Sequence, residues 1–365
     1  MLISSTLKKY LGVFQIIAVL ALCVSLDACQ KDKNEFIPTG THIDSIPLPF
    51  QKPTDTMFIE EGNLNPNNVA NLFSVEKLHG ILASSIKIPF ADTFTAEKGK
   101  KIIFSDFTTV DIPANICTKT PNGNANSVCK GILKVEILVL RTKGELVAYN
   151  LPTVSEGDLL QSGGVVKLHI TQNGSDVFVQ NGQFIKVTYK MPSVVPDMRY
   201  YDGETNMGSP RLGFDWHLVE DNNSRYPRLS AVDSTTYQML IDRFNFVNCD
   251  KFYGNNIQLS KNLVVTLPDS FSNQNTSVFV VFSDNLSIVR LVGDPRVKAF
   301  VIPQNYRGLP TGKLGKIVTL SLLSSKNAPD RFYYSATPVN ISDITIKPIP
   351  SAITSDGIKL KLLAL

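Results

Sequence analysis

The sequence predicts an all-β protein: two β-sandwich domains behind an N-terminal export segment and a proline-rich tether, with one short helix. Three observations predict it. Leu133, Val135, Ile137 and Val139 alternate with Lys134 and Glu136, and Val166, Leu168 and Ile170 alternate with Lys167, His169 and Thr171, the period of half-buried strands. Asn173-Gly174 and Asn181-Gly182 sit between such runs and suit the positive φ angles of tight hairpins. Short strand-like runs then recur between turn residues as far as Lys347. With 43% hydrophobic and 19% charged residues, the chain has the composition of a protein that folds rather than one that stays disordered.

The first element is the export segment. Lys8 and Lys9 precede an apolar stretch from Tyr10 to Leu26, interrupted by Gln15 and Ser25, which reads as the basic and apolar regions of a secretory signal. The stretch is shorter than the roughly 20 apolar residues of a spanning helix, and Asp27 closes it. Leu26-Asp27-Ala28-Cys29 resembles the lipobox of bacterial lipoproteins, with Asp27 departing from the small or aliphatic residue usual there. The resemblance implies cleavage before Cys29 and palmitate-type acylation of that cysteine, hence a membrane partner through a lipid anchor. Gln30-Lys31-Asp32-Lys33-Asn34-Glu35 resembles the tract that exports Bacteroidota lipoproteins to the cell exterior. That implies an outer-membrane protein facing outward, with the periplasmic face as the alternative. Asp44-Ser45-Ile46 and Asp55-Thr56-Met57 are similar to O-glycosylation acceptors of the same phylum.

Removing residues 1–28 takes away Lys8, Lys9 and Asp27 and lowers the formal charge from +4 to +3, too little to steer the protein to nucleic acid. Pro38, Pro47, Pro49 and Pro53 make residues 29–60 an extended tether. From Asn67 to Ser84, Val69, Leu72, Phe73, Val75, Leu78 and Leu82 fall near helical spacing, so a helix opens the first domain, residues 61–193. His79 on this helix is expected to pack on the core. The two Asn-Gly turns join three strands in a meander from Val165 to Tyr189. Residues 194–230, rich in Asp, Gly, Asn and Pro, read as an aromatic connector, and strand-like runs from Tyr237 onward make residues 231–365 the second sandwich.

Between residues 86 and 252 the order of motifs resembles uncharacterised Bacteroidota surface lipoproteins with tandem β-domains. The residues that carry this are Val110-Asp111-Ile112-Pro113-Ala114-Asn115, the run Pro152 to Gly164, and Phe246 to Phe252. That group implies no activity. The Ile112-Pro113-Ala114-Asn115 step is also similar to the spectrin-binding β-sandwich of ankyrins, a likeness of fold alone.

Cys117 and Cys129 bracket Pro121 and Asn122-Gly123, turn residues that bring the flanks together, so a disulfide is expected there, with Cys249 a buried free thiol. Gly308 to Lys313 has one residue too few for a phosphate-binding loop and Leu314 where a hydroxyl is needed, so it reads as a turn. His42, His79, His169 and His217 give no pair at metal-ligand spacing, and no cofactor is implied. Asp197, Asp202, Glu204 and Asp215 offer oxygens for calcium without the spacing of a calcium loop, and read as solvated loop carboxylates.

The connector is the ligand-site expectation: Tyr200, Tyr201, Trp216 and Tyr226 as flat faces for a sugar, Asp202 and Asp215 as hydroxyl acceptors. The competing reading is that these aromatics fill the junction between the domains. The function expected is a lipid-anchored surface binding or adhesion protein without catalytic activity, its partner a glycan or another surface protein. A glycan-capturing lipoprotein of a polysaccharide uptake system and a secreted hydrolase with a dispersed site are the alternatives. A carboxylate pair meeting in a cleft favours the hydrolase.

Overall fold

The computed structural model describes residue 58 and residues 73–121, 123, 127–205, 214–220, 228–254, 258–325 and 328–365. The expected export segment, the expected lipidation site Cys29, most of the expected tether, the first turn of the expected helix and Tyr226 lie outside the described residues. Pro53–Leu365 is one compact unit by its contacts.

In the first half the strands are β1 (Phe90–Thr95), β2 (Lys100–Ile103), β3 (Thr109–Ile112), β4 (Ile132–Leu140), β5 (Val154–Ser155), β6 (Asp158–Gln172), β7 (Ile185–Lys190), β8 (Arg199–Thr205), β9 (Phe214–Leu218), β10 (Leu229–Asp233), β11 (Thr236–Ile241) and β12 (Phe246–Phe252). One antiparallel sheet runs β1-β4-β6-β12-β8-β9 and the facing sheet runs β10-β11-β7-β3-β2. Alternation decides which side faces in. Leu133, Val135, Ile137, Val166, Leu168 and Ile170 meet Ile185, Val187, Tyr237 and Met239 of the facing sheet in one buried core. Each such side chain stabilises by about 1.5–3 kcal/mol on burial.

Pairing also redraws the expected boundaries. β8 pairs β9 and β12, and β10 pairs β11, so residues taken for a connector form strands of the first sandwich, which continues to Phe252. An acidic, aromatic stretch lacks clean alternation because β8 is covered on both faces: Tyr200 joins the first core and Tyr201 the next. The three-strand meander is half realised. Asn173-Gly174, at φ +52° and +81°, turns β6 back onto Ser175–Asp176. After Asn181-Gly182 the chain crosses to the other sheet, where β7 pairs β3 and β11.

The second half contributes β13 (Val264–Val265), β14 (Thr276–Phe282), β15 (Ile288–Asp294), β16 (Ala299–Val301), β17 (Leu314–Ser325), β18 (Ala328–Asn340), β19 (Thr345–Ile346) and β20 (Ser351–Ile353). They form one sheet, β19-β13-β16-β15-β14-β17-β18-β20, antiparallel apart from the parallel β13–β19 pair. Every residue of its central strand β14 is buried. Val278, Val280 and Phe282 enter a core that the sheet wraps around with Val265, Phe300 and Leu309. Phe279 and Val281, on the other face, enter the middle core.

Three short helices supply the rest of that middle core: α1 (Phe73–Ile86), α2 (Lys143–Ala148) and α3 (Ser355–Leu363). Leu78, Leu82, Leu146, Ile358 and Leu362 pack there against Phe279, Val318 and Leu320. His79 is a core residue, as expected. Its Nδ1 donates to the Ala148 carbonyl at 3.1 Å, which leaves Nε2 to accept from the Ser277 hydroxyl at 2.9 Å. The sequence reading missed α2, although Thr142 and Glu145 form a capping box that satisfies the Thr142 and Glu145 N–H groups at its start. No helix among the described residues is long and apolar enough to cross a membrane.

Candidate functional site

A cleft of about 520 Å³ opens where the two halves meet, within the roughly 300–1,000 Å³ usual for small-ligand sites. Its wall begins with the β5–β6 hairpin. Val154 pairs Leu159 and Ser155 pairs Asp158, leaving Glu156-Gly157 as a two-residue turn at φ +49° and +85°, the mirror-image turn that matches strand twist. Val154 and Leu159 plug into the core of the second half, so this hairpin of the first sandwich is pinned by the other.

The hairpin tip is stitched to the Pro303–Arg307 loop. Arg307 N–H donates to the Gly157 carbonyl at 3.0 Å. A Cβ on Gly157 would stand 2.2 Å from the Asn305 carbonyl oxygen, so only glycine permits this approach. The Arg307 guanidinium lies 3.3 Å from Asp158 through Nε. Glu156, Asp158 and Arg307 thus reach the lining of the cleft from two segments, together with Phe252, Tyr253 and Leu259. Phe252 is 39% exposed, and Tyr253 is oriented by its hydroxyl on Asp284 at 3.0 Å, itself held by Lys313.

Among the described residues, none of the expected ligand residues lines this cleft; three stand behind it. Asp215 accepts from the Glu156 N–H at 3.2 Å, and burial raises its carboxyl above the ordinary value. Tyr201 sets its ring perpendicular to Phe252, at 6.3 Å between centroids. Trp216 is wholly buried and donates from Nε1 to the Pro152 carbonyl at 2.9 Å, just before the hairpin. The stacking role expected of Tyr200, Tyr201 and Trp216 is therefore corrected: all three are buried. Tyr201 and Trp216 fill the junction because they fall on the face of the first sheet that the second half covers.

Tyr200 and Asp202 point the other way. Asp202 is buried and ion-paired with Arg243 at 3.0 Å, and burial raises its carboxyl despite that cation. Tyr200 borders a smaller cavity, about 370 Å³, with Met198, Leu218, Val219, Glu220 and Leu229. Among the described residues no three His, Cys, Asp or Glu side chains group as metal ligands.

The cysteine expectation is corrected in part. Thr118 bridges Val128 in antiparallel fashion, and Cys129 N–H donates to the Cys117 carbonyl at 2.8 Å, so the turn does bring the two together. Both are free thiols in the structure, as is Cys249. Burial pushes Cys117 and Cys249 up to about 12.

The fold and cleft define an all-β protein of fused sandwich-type layers with a ligand-sized seam. No protein-family model and no curated protein matches the sequence.

Proposed function

We propose that this protein is a lipid-anchored cell-surface protein that binds a ligand in the junction cleft without transforming it. The observation that carries the reading is the cleft itself, where the hairpin turn and the Pro303–Arg307 loop that bear its polar residues are joined by a main-chain bond between the two halves. The lipobox-like Leu26 to Cys29 and the charged tract after it support the anchor and the outward face. One observation favours a hydrolytic second reading: Glu156 and Asp158 line the same cleft. Asp158 is also paired with Arg307 there.

The anchor is tested by labelling cells with palmitate and treating them with an impermeant protease. Wild type, Cys29→Ala and a deletion of residues 30–35 are compared. The expected result is label lost in Cys29→Ala, wild type shaved from intact cells, and the deletion protected. Label surviving in Cys29→Ala refutes the anchor; labelled wild type resisting protease moves the protein to the periplasmic face.

A further inference from the structure

We infer that the junction cleft takes a neutral, hydroxyl-rich ring compound, a saccharide. This rests on the binding reading above and goes on to name the ligand class. The lining carries two carboxylates and one guanidinium, so acceptors and donors border the same space. The Arg307 guanidinium stands 3.3 Å from Asp158 through Nε and its side chain is 72% exposed, so its N–H donors are open to a ligand. Two carboxylates to one guanidinium disfavour an anionic ligand, and the Arg307–Asp158 pair leaves groups of both signs beside the space. A hydroxyl group, which both donates and accepts, satisfies this mixed rim without a net charge.

The other wall is apolar: Phe252 is 39% exposed and Leu259 41%. A pyranose has the matching two-sidedness, with C–H groups on its faces and hydroxyls around its edge. The strongest sign that Glu156 is there for a ligand is its backbone. It sits at φ +49° in the first position of the turn, where Asn, Asp or Gly is the unstrained choice, and it lines the cleft.

The test uses the full chain purified in detergent and titrated calorimetrically with neutral oligosaccharides: maltotriose, cellotriose, laminaritriose, mannotriose and chitotriose. Trilysine and trigalacturonate serve as charged probes. Wild type is compared with Glu156→Gln, Phe252→Leu and Arg307→Gln, with thermal midpoints recorded for each. The expected result is saturable binding of at least one neutral sugar, weakened tenfold or more by Glu156→Gln and by Phe252→Leu at unchanged midpoint. Binding indifferent to both substitutions overturns the placement, and a panel without saturable binding overturns the ligand class. Trilysine or trigalacturonate binding with the same sensitivity also overturns the class and leaves the binding reading intact. A neutral sugar that binds and is cleaved to new reducing ends supports the class and refutes binding without transformation.

Discussion

At the scale of single residues, strain and burial set the testable consequences. Glu156 occupies a left-handed conformation that costs a non-glycine residue about 1–3 kcal/mol when held by its surroundings. Glu156→Asn keeps the turn and removes much of that cost, so urea denaturation is expected to show a gain of about 0.5–1 kcal/mol together with weaker ligand binding. Gly157→Ala goes the other way, because its methyl meets the Asn305 carbonyl, and should open the cleft and lower the thermal midpoint. Asp250 is the clearest titrating group. It is buried in β12, accepts from Asn248 Nδ2 at 2.7 Å, and burial raises its carboxyl well above the usual value, opposed by the nearby Ser162 hydroxyl and Gly163 amide. The folded form therefore holds a proton that the unfolded chain releases near pH 4. Its stabilisation is complete below that pH and is lost as pH rises toward the folded value, at up to about 1.4 kcal/mol per unit. Asp250→Asn keeps the Asn248 contact, so a series of denaturation curves should show a shallower fall of stability with pH in this variant than in the wild type.

Among the elements, the hairpins and caps follow local chemistry and the strand faces follow packing. Asn173-Gly174 announces its hairpin, and Thr142 with Glu145 announces α2 in the same local language. Glu156-Gly157 makes an equally tight hairpin without a residue pair that signals one. Trp216 ties its strand to the hairpin through Pro152, so Trp216→Ala should cost about 3–5 kcal/mol, read from the denaturation midpoint, and weaken ligand binding as the hairpin loosens. The Cys117 and Cys129 segments are side by side, and the buried thiols should resist alkylation in the native protein. After denaturation without reductant, mass spectrometry is expected to find Cys117, Cys129 and Cys249 all alkylated. Finding Cys249 alone modified would show a bridge between the other two.

For the whole molecule, the seam is a shared interior. Leu138, Leu140, Leu160, Tyr201 and Trp216 of the first half share one core with Phe279, Val318 and Leu320 of the second and with all three helices. Val154 and Leu159 extend the first half into the third core. Neither half can lose its packing without exposing apolar surface of the other, so unfolding should be a single cooperative transition. Trp216 fluorescence, which reports the seam, and far-ultraviolet circular dichroism, which reports the sheets, are expected to give coincident urea curves. Two separated midpoints would show that the halves fold as independent domains.

By itself the sequence determined the β class, the inward faces of β4 and β6, the Asn173-Gly174 turn and the core position of His79. These follow from periods and residue types that act within a few positions of the chain. Tertiary structure decided that strands β8 to β12 complete the first sandwich and that Tyr201 and Trp216 are interior. It also decided that Asp158 meets Arg307, far away in the chain, and that Glu156 lines the same cleft. The physical reason is that a strand's partner, and which of its two faces another layer covers, depend on the area buried between distant segments, and no local pattern of side chains encodes that choice.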